Sequence, residues 1–171
     1  SKSVDALAKA GVEILMTGIR ATLERYRVSF DRWYLERTVY EGSPSMWERA
    51  RGKLLADGLA YESEGALWLR TSQLAGDEKD RALVRTSGEP TYLAADIAYH
   101  RDKLERFPDA QLIDVLGADH HGYMERLKVC LAALGYDPDR LEIPLMQLVH
   151  VVERGERTQM SKRKGEFVTP D

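Results

Sequence analysis

Cationic side chains cluster near the C-terminus of this 171-residue sequence, and their types suit phosphate binding. The cluster contains Lys162, Arg163 and Lys164, preceded by Ser161 and followed by Gly165. A lysine ammonium is a compact point-charge partner for phosphate, a serine hydroxyl can donate a hydrogen bond, and a glycine lets the loop bend. The pattern predicts a loop that closes over phosphate groups. A solvated basic turn is the alternative interpretation of the same residues.

A second polar cluster follows an apolar run. Residues 112–116 are typical of a buried parallel strand, which ends at Gly117, and Asp119, His120 and His121 come just before a predicted helix. Polar residues in this position lie at the carboxyl edge of an open α/β sheet, where such folds bind ligands. We interpret them as candidates for contact with a nucleotide or an amino acid. A metal site and a purely structural strand–helix turn stay open.

The third candidate is a tyrosine and a carboxylate four residues apart. If residues 92–107 are mostly helical, Tyr92 and Asp96 project from one face. A carboxylate beside a hydroxyl suits a guanidinium, whose planar fork favours more than one hydrogen bond. Tyr99 and His100 are candidates for the same wall. The alternative is a buried hydroxyl and a carboxylate that serves only the start of the helix.

Hydrophobic periodicity and turn residues predict the elements that position these groups. Helix–strand–helix–strand order in the second half of the chain predicts an α/β fold with half of a doubly wound parallel sheet. The predicted elements are a helix over 4–27, a strand over 28–31, a helix over 45–57 with Ser43 as N-cap and Pro44 at N1, a hairpin of 59–62 and 66–70, a strand over 83–85, helices over 92–107 and 121–134, and strands over 112–116 and 143–152.

Composition excludes several classes of protein. A hydrophobic content of 43%, a charged content of 31% and a net charge of −3 are typical of a soluble globular protein, so any RNA contact must come from a local patch. The single cysteine, Cys130, excludes an internal disulfide and a multi-cysteine zinc site. No apolar run approaches the roughly 20 residues of a membrane span, and the first residues do not resemble a signal peptide. We therefore expect a cytoplasmic protein without a membrane segment.

Four segments, taken in order, resemble the catalytic domain of bacterial-type arginyl-tRNA synthetases, which are class I aminoacyl-tRNA synthetases. The similarity covers nearly the whole chain and is strongest from Gly65 onward. The four segments are residues 65–70, 92–100, 117–123 and 159–165, and the last of them resembles the KMSKS loop of that class.

The resemblance implies a Rossmann-like class I sheet with a small inserted α+β subdomain. Residues 1–90 would form a helical and hairpin connective insertion region. Residues 91–171 would form the second half of the catalytic domain and end in the KMSKS-like loop. No His-x-Gly-His tetrapeptide occurs in this sequence, so we interpret the chain as a fragment that is inactive by itself.

The resemblance also implies the reaction of the parent protein and a role for individual residues. The parent would activate arginine with ATP, accompanied by Mg²⁺ and without a protein-bound metal, and transfer it to tRNA(Arg). Tyr92 and Asp96 would hold the guanidinium, and His120 would lie near the substrate α-amino group. Lys162 would be catalytic and stabilise the pyrophosphate, whereas Gln159 replaces the first lysine of the motif. The remaining implied ATP contacts are Gly117, Asp119, His121, Val151, Val152, Met160, Ser161, Arg163 and Lys164.

Three rival functions stay open at this point. One is a metal-dependent phosphoesterase built on Asp119, His120 and His121. The second is a non-catalytic RNA-binding module that uses the cationic cluster, although acidic residues outnumber basic ones in the chain. The third is a class I synthetase for another amino acid, against which Asp96 argues, because an apolar substrate needs no buried carboxylate.

Overall fold

Residues 2–118, 121–147, 149–150, 152–153 and 156–157 are those that the computed structural model of this protein describes. The chain divides into two units, one of Ser1–Trp33 with His150–Asp171 and the other of Tyr34–Val149. The predicted boundary at residue 90 between an insertion region and a catalytic half stays a prediction.

The first unit opens with helix α1, Lys2–Arg25, which confirms the helix predicted over 4–27. Beyond the end of the helix, Arg27 has a left-handed backbone with a φ of 58°. The strand predicted over 28–31 is wrong, because this stretch runs as irregular chain. Its aromatic residue packs locally instead, with the rings of Phe30 and Trp33 meeting edge to face at a centroid distance of 5.2 Å.

The second unit begins with a 3₁₀ helix, Glu36–Tyr40, which leads to helix α2, Met46–Ala56. The predicted N-cap of α2 is wrong, because Ser45 rather than Ser43 is the N-cap. Ser45 Oγ accepts a hydrogen bond from the Glu48 amide at 3.1 Å, and the Glu48 carboxylate accepts one from the Ser45 amide at 2.7 Å. This capping box satisfies two amides at the helix start, and it leaves Pro44 in the preceding turn.

A three-stranded antiparallel sheet follows, in the order β1 (Ala60–Ser63), β2 (Ala66–Leu69) and β3 (Arg81–Val84). The predicted hairpin and the predicted third strand are confirmed. In the hairpin turn Glu64 and Gly65 have φ values of 52° and 75°, which matches the twist of a two-residue turn between antiparallel strands. A short helix that the sequence analysis did not predict, α3 (Thr71–Leu74), connects β2 to β3.

Parallel strand pairs, two α-helices and a further 3₁₀ helix, Pro138–Arg140, form the rest of the second unit. Helices α4 and α5 span Tyr92–Arg106 and His121–Ala133, close to their predicted bounds. Strand β4 (Leu112–Ile113) pairs in parallel with β6 (Leu141–Glu142), and β5 (Leu116–Gly117) pairs in parallel with β7 (Leu145–Met146). The α/β class with parallel pairing is therefore confirmed. In the first unit, β8 (Val152–Glu153) pairs antiparallel with β9 (Glu156–Arg157).

The extents predicted for the parallel strands are wrong. The strand predicted over 112–116 is interrupted at Asp114, whose carboxylate turns towards His100 and Lys103 of α4. The strand predicted over 143–152 is interrupted at Pro144, which lies between β6 and β7 and has no amide hydrogen to donate to a ladder. The backbone still follows the parallel pairing, since the Asp114 amide donates to the Glu142 carbonyl at 2.9 Å.

The core of the second unit joins the helices to the antiparallel sheet. Its largest fully buried side chains are Val39, Leu54, Leu69, Thr71, Leu83, Ile97, Leu104, Leu127, Cys130, Leu131 and Leu141. Cys130 lies on α5, and burial raises the pKa of its thiol to about 12. Within the described ranges, none of the helices is both long and apolar enough to cross a membrane.

Candidate functional site

Helix α4 presents a polar stripe opposite the face that it buries. Residues 92, 96, 99 and 103 recur at spacings of four and three, which places them along one side of the helix. The apolar residues Leu93, Ile97 and Leu104 are buried and pack into the core. Burial of this second face fixes the rotation of α4 and therefore the direction in which Tyr92 and Asp96 project.

A small cavity lies over the polar stripe of α4, and we call it the α4 cavity. Its volume is about 260 Å³, below the usual range for drug-sized ligands and suited to a single amino-acid side chain. The rings of Tyr34 and Tyr99 stack beside it with centroids 4.0 Å apart. The residues that line it are Tyr34, Glu36, Val39, Tyr92, Ala95, Asp96 and Tyr99.

Two carboxylates, Glu36 and Asp96, line the α4 cavity without a cationic partner. Neither forms an ion pair with any residue in the part of the chain that the structure describes. Both carboxylates also affect the nearby Tyr40. Burial raises the pKa of the Tyr40 hydroxyl, and the negative charges of Glu36 and Asp96 raise it further. Two uncompensated carboxylates among aromatic rings are the chemistry of a site for an organic cation.

Glu36 is a site residue that the sequence analysis missed. It is exposed, it lies on the 3₁₀ helix Glu36–Tyr40, and it is remote from α4 in the sequence. No local spacing connects it to Asp96, so only the packing of the 3₁₀ helix against α4 brings the two carboxylates to one cavity.

Asp96 is held by two residues outside the cavity. The hydroxyl of Tyr123, on α5, donates a hydrogen bond to Asp96 Oδ2. The imidazole of His100 lies with Nδ1 2.7 Å from the backbone carbonyl of Asp96. Burial raises the pKa of Tyr123 far above its ordinary value, and the hydrogen bond to Asp96 raises it further, so this hydroxyl stays a donor.

The other ring nitrogen of His100 connects α4 to the interrupted strand. His100 Nε2 lies 2.5 Å from Asp114 Oδ2, and Lys103 Nζ lies 3.0 Å from Asp114 Oδ1. Burial raises the pKa of Asp114, but the hydrogen bond from His100 and the charges of His100 and Lys103 outweigh it and lower the pKa to about 2. Asp114 is therefore ionised and clamps two residues that lie one helical turn apart on α4.

A larger groove of about 540 Å³ lies on the antiparallel sheet, away from α4. Trp47, Arg51 and Glu62 are among its lining residues. Arg51 and Glu62 neutralise each other, since Arg51 Nη2 lies 2.7 Å from Glu62 Oε1, and Glu64 is the one further charged residue of its lining. The α4 cavity, whose carboxylates remain uncompensated, is the better candidate for a site that recognises a charged ligand.

Comparison with known proteins identifies the family. The family described as tRNA synthetases class I (R), catalytic domain, matches residues 5–171. This chain belongs to that family. The prediction made from the four sequence segments is confirmed, and the match does not favour the third rival, a class I synthetase for a different amino acid. The match also gives no support to a phosphoesterase or a separate RNA-binding module.

Curated relatives match nearly the whole of this chain at high identity, but the match covers only a limited part of their own length. The arginine–tRNA ligase of Carboxydothermus hydrogenoformans is 47% identical over 167 residues, which are 98% of this chain and 29% of the relative. The arginine–tRNA ligase of Listeria welshimeri is 48% identical over 167 residues, which are 97% of this chain and 28% of the relative. The chain therefore spans less than a third of the length of the curated relatives that it matches.

Two solved structures share the fold. A Campylobacter jejuni protein, provisionally named an arginyl-tRNA synthetase, superposes with a TM-score of 0.80 and 38% identity, over 94% of this chain and 34% of that one. The arginyl-tRNA synthetase of Thermus thermophilus superposes with a TM-score of 0.67 over 81% of this chain and 30% of that one. Its identity is only 18%, so it shows a common fold alone.

The predicted nucleotide edge of this class I segment is described only in part. Gly117 ends the parallel strand β5 and His121 begins α5, which confirms the predicted order of strand, turn and helix. Val152 lies in β8 with 59% of its surface exposed. The other predicted ATP-site and substrate residues lie outside the described positions, namely Asp119, His120, Val151, Met160, Ser161, Lys162, Arg163 and Lys164.

The metal-site alternative is not decided by the described residues. They contain no group of three or more histidine, cysteine, aspartate or glutamate side chains that could hold a metal ion. The side chains of the Asp119, His120 and His121 triplet are not among them. The tyrosine–carboxylate pair at Tyr92 and Asp96 is, by contrast, brought to one cavity as its spacing predicts.

Proposed function

We propose that this chain is the arginine-binding segment of an arginine–tRNA ligase. The longer protein would join the arginine carboxylate to the α-phosphate of ATP, release pyrophosphate, and transfer the arginyl group from the adenylate to tRNA(Arg). The observation that carries the proposal is the α4 cavity, which places two uncompensated carboxylates among tyrosine rings. The names of the relatives, which are arginine–tRNA ligases, agree with the chemistry of this cavity.

The α4 cavity matches each chemical property of the arginine side chain. A guanidinium carries a permanent positive charge, presents several N–H donors in one plane, and stacks on aromatic faces. Asp96 and Glu36 would accept its hydrogen bonds, while the Tyr92 hydroxyl would accept or donate at the rim of the cavity. The stacked rings of Tyr34 and Tyr99 would form the wall beside its plane.

The nucleotide contacts remain expectations from the family resemblance. We propose that MgATP lies at the edge defined by Gly117, Asp119 and His121, with Val151 and Val152 beside the base. We propose His120 for the substrate α-amino group. The cationic loop would cover the phosphates, with Lys162 as the main stabiliser of the developing pyrophosphate charge. Its other members are Met160, Ser161, Arg163 and Lys164. Cytoplasmic location, with tRNA(Arg) as partner, completes the proposal.

Calorimetric titration of the 171-residue chain tests the amino-acid site directly. Arginine is the ligand, and citrulline, which has the same shape without the charge, is the matched control. We expect arginine to bind at least about tenfold more tightly than citrulline, because Asp96 and Glu36 form charge-assisted hydrogen bonds only with a cationic ligand. Equal affinities for the two ligands would show that the α4 cavity does not recognise a guanidinium.

The ligase activity is tested with a chimera. This chain would replace the matching 167 residues of the Carboxydothermus hydrogenoformans ligase, and the product would be assayed for arginine-dependent ATP–pyrophosphate exchange and for arginylation of tRNA(Arg). We expect both activities. A folded chimera that exchanges pyrophosphate with another amino acid in place of arginine would overturn the proposal.

A further inference from the structure

We propose that Tyr123 and His100 are positioning residues of the arginine site, which hold Asp96 at its side chain and at its backbone respectively. The inference rests on the proposed function, because it concerns the carboxylate that would bind the guanidinium. Neither residue lines the α4 cavity, so both would act through Asp96.

Tyr123 fixes the side chain of Asp96. Its hydroxyl donates to Oδ2, which leaves Oδ1 for a guanidinium N–H. A carboxylate on one half-buried helical face can rotate about two side-chain bonds, and a donor anchored in a different helix removes that freedom before the ligand arrives. Binding then requires less ordering of the site, which is the general advantage of preorganisation.

His100 fixes the backbone turn from which Asp96 projects. Its Nδ1 faces the Asp96 carbonyl at 2.7 Å and its Nε2 faces the Asp114 carboxylate at 2.5 Å. The ring therefore bridges the backbone of Asp96 and the carboxylate of Asp114. His100 is buried, with 4% of its surface exposed, and Lys103 completes the grip on Asp114.

The two contacts bring separate parts of the fold to one residue, Asp96. Tyr123 belongs to α5, which starts at the predicted nucleotide edge. Asp114 belongs to the strand segment between β4 and β5, and its amide is bonded to the Glu142 carbonyl of β6 at 2.9 Å. The geometry of Asp96 is therefore set by the parallel strands and α5 as well as by its own helix.

Tyr123→Phe is the main test, and Tyr136→Phe is its matched control. Tyr136 also packs against the core and carries a bonded hydroxyl, 2.9 Å from Glu105 Oε1, but it does not contact Asp96. In the chimera we expect Tyr123→Phe to raise the KM for arginine about tenfold with kcat within about twofold of the parent, and Tyr136→Phe to leave both unchanged. Similar arginine KM values in the two variants would overturn the role of Tyr123.

A double-mutant cycle shows whether Tyr123 acts through Asp96. Arginine dissociation constants are measured calorimetrically for Tyr123→Phe, Asp96→Asn and the double variant of the 171-residue chain. If the hydroxyl acts by positioning the carboxylate, its loss should change affinity less than about twofold once the carboxylate is gone. An undiminished tenfold effect in the Asp96→Asn background would show that Tyr123 acts by another route.

His100→Gln and Asp114→Asn test the backbone contact. We expect each to weaken arginine binding about threefold to tenfold, and the combination to weaken it no more than the stronger single change, because both break the same clamp. Additive losses would overturn the clamp. If His100→Gln does not fold, Asp114→Asn, which preserves shape, decides the question alone.

A readout without arginine separates the inference from the proposed function. The carboxyl ¹³C resonance of Asp96 should move in Tyr123→Phe and stay unchanged in Tyr136→Phe in the ligand-free chain. If arginine fails to bind but the resonance moves, the proposed substrate is wrong and the contact stands. If arginine binds and the resonance does not move, the positioning role of Tyr123 is wrong.

Discussion

The two carboxylates of the α4 cavity differ in how firmly they are held. Asp96 is half-buried and accepts a hydrogen bond from Tyr123, whereas Glu36 is exposed on a short 3₁₀ helix. A fixed and partly desolvated carboxylate interacts more strongly with a cation than a mobile and hydrated one. We therefore expect Asp96 to supply most of the discrimination for arginine, with Glu36 as the lesser contributor.

Asp96→Asn should raise the KM for arginine and lower kcat/KM by at least about 2 kcal/mol, because it removes a charge-assisted partner from a desolvated cation. Glu36→Gln should lower kcat/KM for arginine by about half as much free energy. Steady-state exchange kinetics of the chimera measure both, and the KM for ATP is the internal control. Arginine kinetics that survive Asp96→Asn unchanged would make Asp96 a structural residue.

In the cationic loop, we expect Lys162 to be the main residue that stabilises the pyrophosphate. Because Gln159 stands where the family motif has a lysine, Lys162 should carry an unusually large share of the pyrophosphate stabilisation. Lys162→Ala should slow adenylate formation by roughly 10²–10³ while arginine still binds, and Gln159→Lys should be neutral or mildly activating. Pre-steady-state adenylate formation measures this. A defect found in Arg163→Ala or Lys164→Ala instead would move the role to those residues.

At the scale of the elements, Asp114 joins α4 to the parallel strands by charge. The contact explains why the apolar run over 112–116 is interrupted, since the partly buried carboxylate of Asp114 is satisfied by His100 and Lys103 of α4.

The clamp should make folding stability depend on pH. The pKa of Asp114 is lowered to about 2 in the folded chain from an ordinary 3.8, so its contribution is complete above about pH 4 and is lost as pH falls towards 2. The shift corresponds to roughly 2 kcal/mol. Urea unfolding at pH values from 2 to 6 should show a steeper acid loss for the parent than for Asp114→Asn. Parallel curves would contradict the assignment.

At the scale of the whole molecule, the chain spans less than a third of the length of the relatives that it matches. It contains the α4 cavity but no His-x-Gly-His tetrapeptide. The 171-residue chain should therefore bind arginine without catalysing arginine-dependent ATP–pyrophosphate exchange, because reacting groups must be held together for catalysis by positioning. Robust exchange by the purified chain would show that it is complete as an activating enzyme.

The sequence predicted the features that depend on local spacing. Helices α1, α4 and α5 follow from apolar periodicity, and Tyr92 and Asp96 share a cavity because a spacing of four residues places them on one helical face. The features that it did not predict depend on contacts between distant residues. The break at Asp114 requires α4, the place of Glu36 requires packing of the 3₁₀ helix, and residues 28–31 had strand-forming side chains without a strand partner.

The burial of Cys130 gives this chain a built-in reporter of motion in α5. Only the thiolate reacts with disulfide reagents, and burial keeps this sole thiol protonated and covered, so labelling requires α5 to open. Because α5 also carries Tyr123, saturating arginine should slow labelling of Cys130 by an Asp96-dependent factor, whereas citrulline should leave the rate unchanged. If arginine does not change the labelling rate, α5 opens independently of whether the α4 cavity is occupied.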